Sequence, residues 1–138
     1  MRLLLTLVLG MSASTTLAAP DGRQLIEMPV LMQEHMLANM RDHLATLNEM
    51  NMGLATKNYE RAAQAAEQRL GISSLTAHGA DHMSPYMPKA MQAIGTEMHR
   101  AATRFALAAQ ERDLDKSLTE LTAVTTQCVA CHSAYRVR

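Results

Sequence analysis

The sequence predicts an all-α protein. Apolar and small residues recur at helical spacing in four segments, and no segment is convincing as a β-strand. The connections between the first two segments and between the last two are short, which favours antiparallel neighbours. We therefore expect an antiparallel, up-down-up-down four-helix bundle.

The start of the chain is typical of a secretory signal peptide. Arg2 is followed by an apolar run at residues 3–9 and by small residues up to Ala19. The apolar run is too short to span a bilayer. We expect residues 1–19 to be removed on export, leaving residues 20–138 as one domain without a membrane span.

The first helix is expected from about Pro29 to Ala55 and the second from about Asn58 to Leu70. The first has apolar residues at near-helical intervals, namely Met36, Met40, Leu44, Leu47 and Leu54. The second is rich in alanine, which favours helix and allows close packing, and Gly71 is a plausible stop.

One long connection is expected at residues 72–88, because this segment contains glycine, two prolines and several polar residues. The third helix is expected from about Pro88 to Glu111, with an inner stripe of Met91, Ile94, Met98, Ala102, Phe105 and Ala109. The fourth begins near Asp113. Its predicted buried stripe is Leu114, Leu118, Leu121, Thr125, Cys128, His132 and Tyr135.

The most distinctive motif is the C-x-x-C-H run from Cys128 to His132, which holds the only two cysteines of the chain. This spacing is the attachment signature of c-type haem. Thiols three residues apart on a helix share one face, where they can form thioether bonds with the two vinyl groups of one haem. His132 would supply the proximal ligand to the iron.

Two other interpretations of the motif, a zinc site and a redox-active cysteine pair, agree poorly with the sequence. A zinc site requires a second pair of ligands, and the chain has no further cysteine. A redox-active C-x-x-C usually opens a helix after a strand, whereas this motif lies late in a helical segment. We therefore expect one covalently attached haem c.

The composition agrees with a bound apolar cofactor. The chain has 12 Met, a single Phe and no Trp, so its own side chains make a thin core that a haem would complete. The formal net charge is zero, which gives no indication of nucleic-acid or anionic-membrane binding.

A four-helix protein whose last helix ends in C-x-x-C-H-x-x-Y-R, here Cys128 to Arg136, resembles the cytochrome c′ and cytochrome c-556 family. The resemblance implies a periplasmic electron-transfer protein of bacteria that docks transiently on redox partner proteins. It also implies that Arg136 lies near the haem, where it could interact with a propionate or tune the imidazole. A homodimer through the first two helices is a further implication, to which the alanine-rich second helix is suited.

In this family a residue of the first helix faces the distal side of the iron. A Met there gives the six-coordinate c-556 type, and a non-ligating residue gives the five-coordinate c′ type that binds NO or CO. The family's spacing places this position near residues 40–42, where Met40 is the only good ligand. Met36, one turn earlier, and His43, about one turn later, are the alternatives. The resemblance thus implies a His/Met-ligated one-electron carrier, with a gas-binding c′ protein as the alternative.

A hypothesis from another class is soft-metal binding, for example of copper. The chain has six His and 12 Met, and those of one segment are Met28, Met32, His35, Met36 and Met40. We do not expect an enzyme, because no acid/base constellation is recognisable beside the distal face, although His43 could serve if Met40 does not ligate. The other histidines are given no ligand role; these are His35, His78, His82 and His99.

Overall fold

The computed structural model describes residues 21–138, so the predicted signal peptide at residues 1–19 lies outside the described residues. The elements in chain order are β1 (Gln24–Leu25), α1 (Val30–Ala55), α2 (Tyr59–Arg69), α3 (Ala80–Met83), α4 (Lys89–Gln110), α5 (Leu114–Ala134) and β2 (Tyr135–Arg136). Most of this part of the chain is helical, which confirms the all-α prediction.

The two short turns, between α1 and α2 and between α4 and α5, have the same design. In each, a residue with left-handed backbone, Lys57 (φ 58°) or Arg112 (φ 57°), ends the first helix. The next residue caps the second helix: the Asn58 side chain accepts from the amide of Arg61, and Asp113 accepts from the amide of Lys116. Local chemistry therefore sets where each helix ends and the next begins.

The four long helices pack in a chain of neighbours. Extended contacts join α1 to α2, α2 to α4, and α4 to α5, whereas the backbones of α1 and α5 hardly approach each other. At the α1–α2 contact, a Cβ added to Gly53 would lie 2.7 Å from the Cβ of Ala62. Glycine at this position therefore allows the close approach of the two helices.

An ion-pair network also links α2 to α1. The Arg69 guanidinium binds Asp42 and, at 2.7 Å, Glu49. The hydrogen bond from Arg69 is the main reason that the pKa of Asp42 lies below its usual range. Both carboxylates are partly buried, so the pairs are less screened by water than fully exposed ones.

The larger hydrophobic core, here called the alanine core, is built from α1, α2, α4 and α5. Seven of its fourteen buried members are alanine. They are Met50, Leu54, Ala62, Ala63, Ala66, Leu70, Met98, Ala101, Ala102, Phe105, Ala106, Ala109, Leu121 and Val124. Phe105 is the largest side chain that is completely buried. Small side chains bring the helices close together, and one aromatic ring fills the middle.

The smaller core, here called the methionine core, lies at the end of the molecule where β1 meets β2. Four of its five buried members are methionine: Ile26, Met28, Met36, Met83 and Met91. Partly buried side chains pack around it, namely Met32, Met87, Cys131, Tyr135 and Val137. This core contains no alanine among its members and unites segments that are distant in sequence.

The predicted apolar stripes of two helices are wrong in part. On α1, Leu44 is 70% exposed, and the buried face instead includes the polar residues Asn39, His43 and Thr46. On α5, Leu114 and Leu118 are exposed. The fully buried residues of α5 are Ser117, Leu121 and Val124. In both helices, polar side chains that bond to the helix backbone or to neighbouring elements occupy inward positions that the hydropathy pattern assigns to the surface. The stripe predicted for α4 is largely confirmed.

The long connection expected at residues 72–88 is present, and it contains α3 and two short 3₁₀ turns. The expectation that no segment forms a strand needs correction. A strand pair exists: Gln24 pairs with Tyr135 and Leu25 with Arg136 in parallel. The amide of Ile26 extends the ladder by donating to the carbonyl of Arg136 at 2.8 Å.

Candidate functional site

The C-x-x-C-H motif lies in the last two turns of α5. Cys128 and Cys131 are both free thiols and both half-buried, while His132 is exposed. The expectation that the motif sits late in a helix is confirmed, but the expectation that His132 is on the buried face of α5 is wrong. The two thiols and the imidazole lie within about one helical turn, because positions i, i+3 and i+4 are neighbours on a helix.

The two cysteines lie at the junction of the two cores. Cys128 packs against the alanine core, and Cys131 packs against the methionine core. Burial raises the pKa of both thiols, and the neighbouring Cys128 further raises the pKa of Cys131. Both groups are therefore protonated at neutral pH, unlike the low-pKa cysteines of thiol-dependent enzymes and oxidoreductases.

The three candidate distal residues of α1 occupy different surroundings. Met36 is buried in the methionine core, which Cys131 also contacts. Met40 is half-buried and belongs to neither core. His43 is buried, at 7% exposure, on the inward face of the helix. The helix thus turns Met36 and His43 inward, and Met40 lies at the edge of that face.

His43 belongs to a cluster of three buried imidazoles that the sequence does not reveal. Its ring centroid is 4.7 Å from that of His78 and 5.9 Å from that of His99, and the rings of His78 and His99 are 5.5 Å apart. These residues come from α1, the connecting segment and α4, so no local spacing could have indicated that they meet. His78 lies in the turn before α3, yet its side chain is buried.

Hydrogen bonds hold this histidine cluster in place. His99 Nδ1 donates to the carbonyl of Leu70 at 2.8 Å, and His43 Nε2 lies 3.4 Å from His78 Nδ1. The Asn39 side chain donates to the carbonyl of His78 at 2.9 Å. Gly79, with φ 63°, follows His78, and a Cβ there would meet the ring of His35 at 2.6 Å. The connecting segment therefore needs glycine to deliver His78 to the cluster.

The surroundings keep these imidazoles neutral. Burial is the largest cause that lowers the pKa of His43, to about 3, and the neighbouring rings of His78 and His99 add to the effect. His132 adds a smaller effect in the same direction, so it lies close enough to His43 for their charges to interact. Burial also lowers the pKa of His78 and of His99.

The strand pair encloses the end of the motif. Arg23 Nη1 lies 3.5 Å from the carbonyl of His132, and the guanidinium of Arg23 pairs with Asp21 at 2.7 Å. Asp21 Oδ2 also lies 3.6 Å from Arg136 Nε. We call the β1–β2 pair with Asp21 and Arg23 the terminal clasp. It fixes the backbone directly after the C-x-x-C-H motif to the segment that leads into α1.

Arg136 has an unused donor. Its Nε is buried and makes no hydrogen bond within residues 21–138, since Asp21 is at ion-pair rather than hydrogen-bond distance. An unpaired buried N–H is costly, so it has the capacity to take a further acidic partner. This is the one feature around Arg136 that bears on its predicted position beside a haem carboxylate.

Other kinds of site are less well represented in the part of the chain that the structure describes. Residues 21–138 contain no group of three or more His, Cys, Asp or Glu side chains placed to hold a metal ion. Two open, polar surface grooves run along α2, and neither includes a residue of the motif. Among the described helices, none has the length and apolarity to cross a membrane.

Comparisons of the chain with protein-family models, with curated proteins and with solved structures found no match.

Proposed function

We propose that the protein is an exported c-type cytochrome that carries one electron at a time between redox partner proteins. The observation that carries this proposal is the pair of free, half-buried thiols of Cys128 and Cys131, followed directly by His132 at the end of a long helix. Two thiols on one helical face with an adjacent imidazole match the donor set of a covalently attached haem.

The surroundings of these donors fit a large apolar group. Cys128 borders one core and Cys131 the other, and the backbones of α1 and α5 hardly approach each other. Methionine side chains are flexible and can repack around an inserted group. Cys128 and Cys131 would hold the haem through thioether bonds, and His132 would ligate its iron. When bound, the haem supplies the reversible one-electron chemistry.

The chain's own residues would control the surroundings of that chemistry. Apolar side chains of both cores exclude water from the inner side of the motif, which strengthens electrostatic effects there. The free Nε–H of Arg136 would donate to a carboxylate of the bound group.

The arrangement of the four long helices is part of the same proposal. We infer an antiparallel four-helix bundle of the cytochrome c′ and c-556 type, formed by α1, α2, α4 and α5. It is supported by the two hairpins with three-residue turns and by the contacts of α2 with α4. This arrangement would receive its cofactor between α1 and α5, whose backbones hardly approach each other.

The identity of the sixth iron ligand decides between two activities. We propose Met40 as this ligand, with Met36 and His43 as alternatives. A thioether opposite His132 favours ferrous iron and electron transfer, whereas an open distal side would favour binding of NO or CO. Met36 and His43 are both buried on the inner face of α1, which supports them as alternative ligands.

The first experiment asks whether haem is attached. The full chain is expressed together with a c-type haem maturation system, and the periplasmic fraction is purified. We expect the intact mass of residues 20–138 plus one haem, which denaturant and acidic solvent do not remove. A Cys128→Ser, Cys131→Ser variant should lack the covalent haem. Export of the wild-type chain without haem, under conditions that mature a control cytochrome, would overturn the proposal.

The second experiment identifies the distal ligand. Absorption spectra of ferric and ferrous protein are recorded with and without CO for Met40→Ala, Met36→Ala and His43→Ala. Loss of the true ligand converts low-spin to high-spin iron and allows CO to bind. Met52→Ala, an exposed position on the same helix, is the control. High-spin wild-type protein that binds CO would replace electron transfer with the gas-binding alternative.

A homodimer through the first two helices remains part of the proposal, but the alanines of α2 would not form its surface. The alanines of α2 that suit close contact, Ala62, Ala63, Ala65 and Ala66, are all buried within their own chain. Contact between copies would instead use exposed apolar residues of α1 such as Leu31 and Leu44. Sedimentation velocity measures whether the wild type is a dimer and whether Leu44→Lys makes it a monomer.

A further inference from the structure

Methionines in the methionine core follow two ladders with a spacing of four residues. One ladder is Met28, Met32 and Met36, which leads from β1 into α1, and the other is Met83, Met87 and Met91, which leads from α3 into α4. All six side chains pack into the same cluster, although about 50 residues separate the two ladders. The fold therefore brings together thioethers that the sequence keeps apart.

This concentration differs from the ordinary use of methionine as a core filler. The alanine core has two methionines among fourteen buried members, whereas the methionine core has four among five. Methionine is a weakly specifying core residue because it has three rotatable bonds, and Leu, Ile or Val would pack an apolar cluster more rigidly. What six methionines share, and those residues lack, is the thioether sulfur.

We propose that the methionine core binds a soft monovalent cation, Cu(I), through the sulfur atoms of Met28, Met36, Met83 and Met91. Thioethers are neutral, soft ligands that select Cu(I) over hard divalent ions. Mg²⁺ and Zn²⁺ prefer carboxylate, imidazole or thiolate ligands, and residues 21–138 contain no group of three or more His, Cys, Asp or Glu side chains placed to hold such an ion. Met32 and Met87 are only partly buried and provide the route from solvent.

This site shares the methionine core with the proposed haem site, and Met36 is also an alternative distal ligand, so Cu(I) binding is measured both with and without haem. Cys131 also packs against the cluster, but haem attachment would convert its thiol to a thioether, so the methionines must suffice. The free C-x-x-C pair would itself bind Cu(I) and obscure the result. The measurement therefore uses two forms of the full chain: the haem-loaded protein, and a Cys128→Ala, Cys131→Ala variant whose helicity is checked by circular dichroism.

Each form is titrated without oxygen against the Cu(I) complex of a chromophoric chelator. We expect one Cu(I) per chain, and a weakening of its affinity by at least about tenfold in Met36→Leu, Met91→Leu protein. The matched control is Met50→Leu, Met98→Leu, which makes the same changes in the alanine core and should leave the affinity unchanged. Leucine has nearly the volume of methionine, so both pairs should fold.

Two results would overturn this inference: no Cu(I) retained by either form, or equal affinity in the wild type and in Met36→Leu, Met91→Leu. Neither result bears on haem attachment, which is read separately from the mass. Conversely, a chain that never acquires haem can still be tested as the cysteine-free variant.

Discussion

The two cores of this molecule are built on opposite principles. The alanine core joins four helices through small side chains, with Phe105 completely buried at 0% exposure. The methionine core joins strand, helix and connecting segment through long, flexible side chains. Small residues fix how closely helices approach, whereas methionines adapt to what lies between them. The rigid core therefore sets the frame, and the adaptable core lies where the chain is proposed to accept ligands.

The largest effect is expected from emptying the alanine core. Phe105→Ala removes the largest completely buried side chain and leaves a cavity among the members of the alanine core. We expect the free energy of unfolding to fall by about 3–5 kcal/mol, measured by urea denaturation. A loss below about 1 kcal/mol, the range of surface substitutions, would show that this core is not the rigid part of the molecule.

Acid should act at the boundary between the cores, where His43 lies midway along α1 between Met36 and Met50. The folded protein keeps this ring neutral, with a pKa of about 3, whereas the unfolded chain binds a proton below the ordinary value of 6.5. Stability is therefore complete above about pH 6.5 and decreases as the pH falls towards 3. The free energy of unfolding decreases by about 1.4 kcal/mol per pH unit for each proton that the unfolded chain binds and the folded protein does not.

Urea denaturation of the haem-free protein across this pH range measures the effect. His43→Gln should flatten the dependence, and His82→Gln, at an exposed position, should not. The lowered pKa values of His78 and His99 act in the same direction, so part of the slope should remain in the His43 variant. If the free energy of unfolding of His43→Gln depends on pH as steeply as that of the wild type, His43 does not cause the loss of stability in acid.

Two glycines allow a direct comparison of packing. Gly53→Ala places a Cβ 2.7 Å from that of Ala62 in the tight α1–α2 contact, and overpacking of this kind costs about 1–3 kcal/mol. Gly95→Ala, between Met91 and Met98 on α4, meets nothing within 4 Å and should stabilise the helix by about 0.5–1 kcal/mol. Thermal denaturation measures whether each variant is less or more stable than the wild type. If both variants shift in the same direction, Gly53 and Gly95 do not differ in packing as described.

The smallest effect is expected in the methionine core itself. Met36→Leu conserves volume in surroundings that repack easily, so the loss of stability should stay below about 1.5 kcal/mol. The same substitution at Met50, which is completely buried among alanines, should cost more. Chemical denaturation measures the free energy of unfolding of both variants. If Met36→Leu loses more stability than Met50→Leu, the methionine core is the more rigid of the two.

The sequence predicts the helices well because their ends depend on local chemistry. Pro29, Asn58, Pro88 and Asp113 each precede a helix by one residue, and the predicted bounds agree to within one or two positions. The buried faces are predicted less well. His43, Thr46 and Ser117 are polar but inward, because each has a partner within the fold that hydropathy does not register.

The candidate site shows the same division. The three residues of the C-x-x-C-H motif are recognisable from spacing alone, since the donors follow one another along one helix. The meeting of His78 with His43 and His99 could not be predicted, because it depends on how the segment after α2 folds back. Met40 remains a prediction, and its place at the edge of the inner face leaves Met36 and His43 as competitors.

The terminal clasp has a consequence for the order of folding. It pairs Gln24 with Tyr135, residues 111 positions apart, whereas each helical hairpin closes over a three-residue turn. Contacts of long sequence separation carry the larger entropic cost of loop closure and form late. Until the clasp closes, the end of α5 lacks the strand pair and the contact between Arg23 and the carbonyl of His132. We expect an enzyme that modifies Cys128 and Cys131 to reach them most readily in that interval.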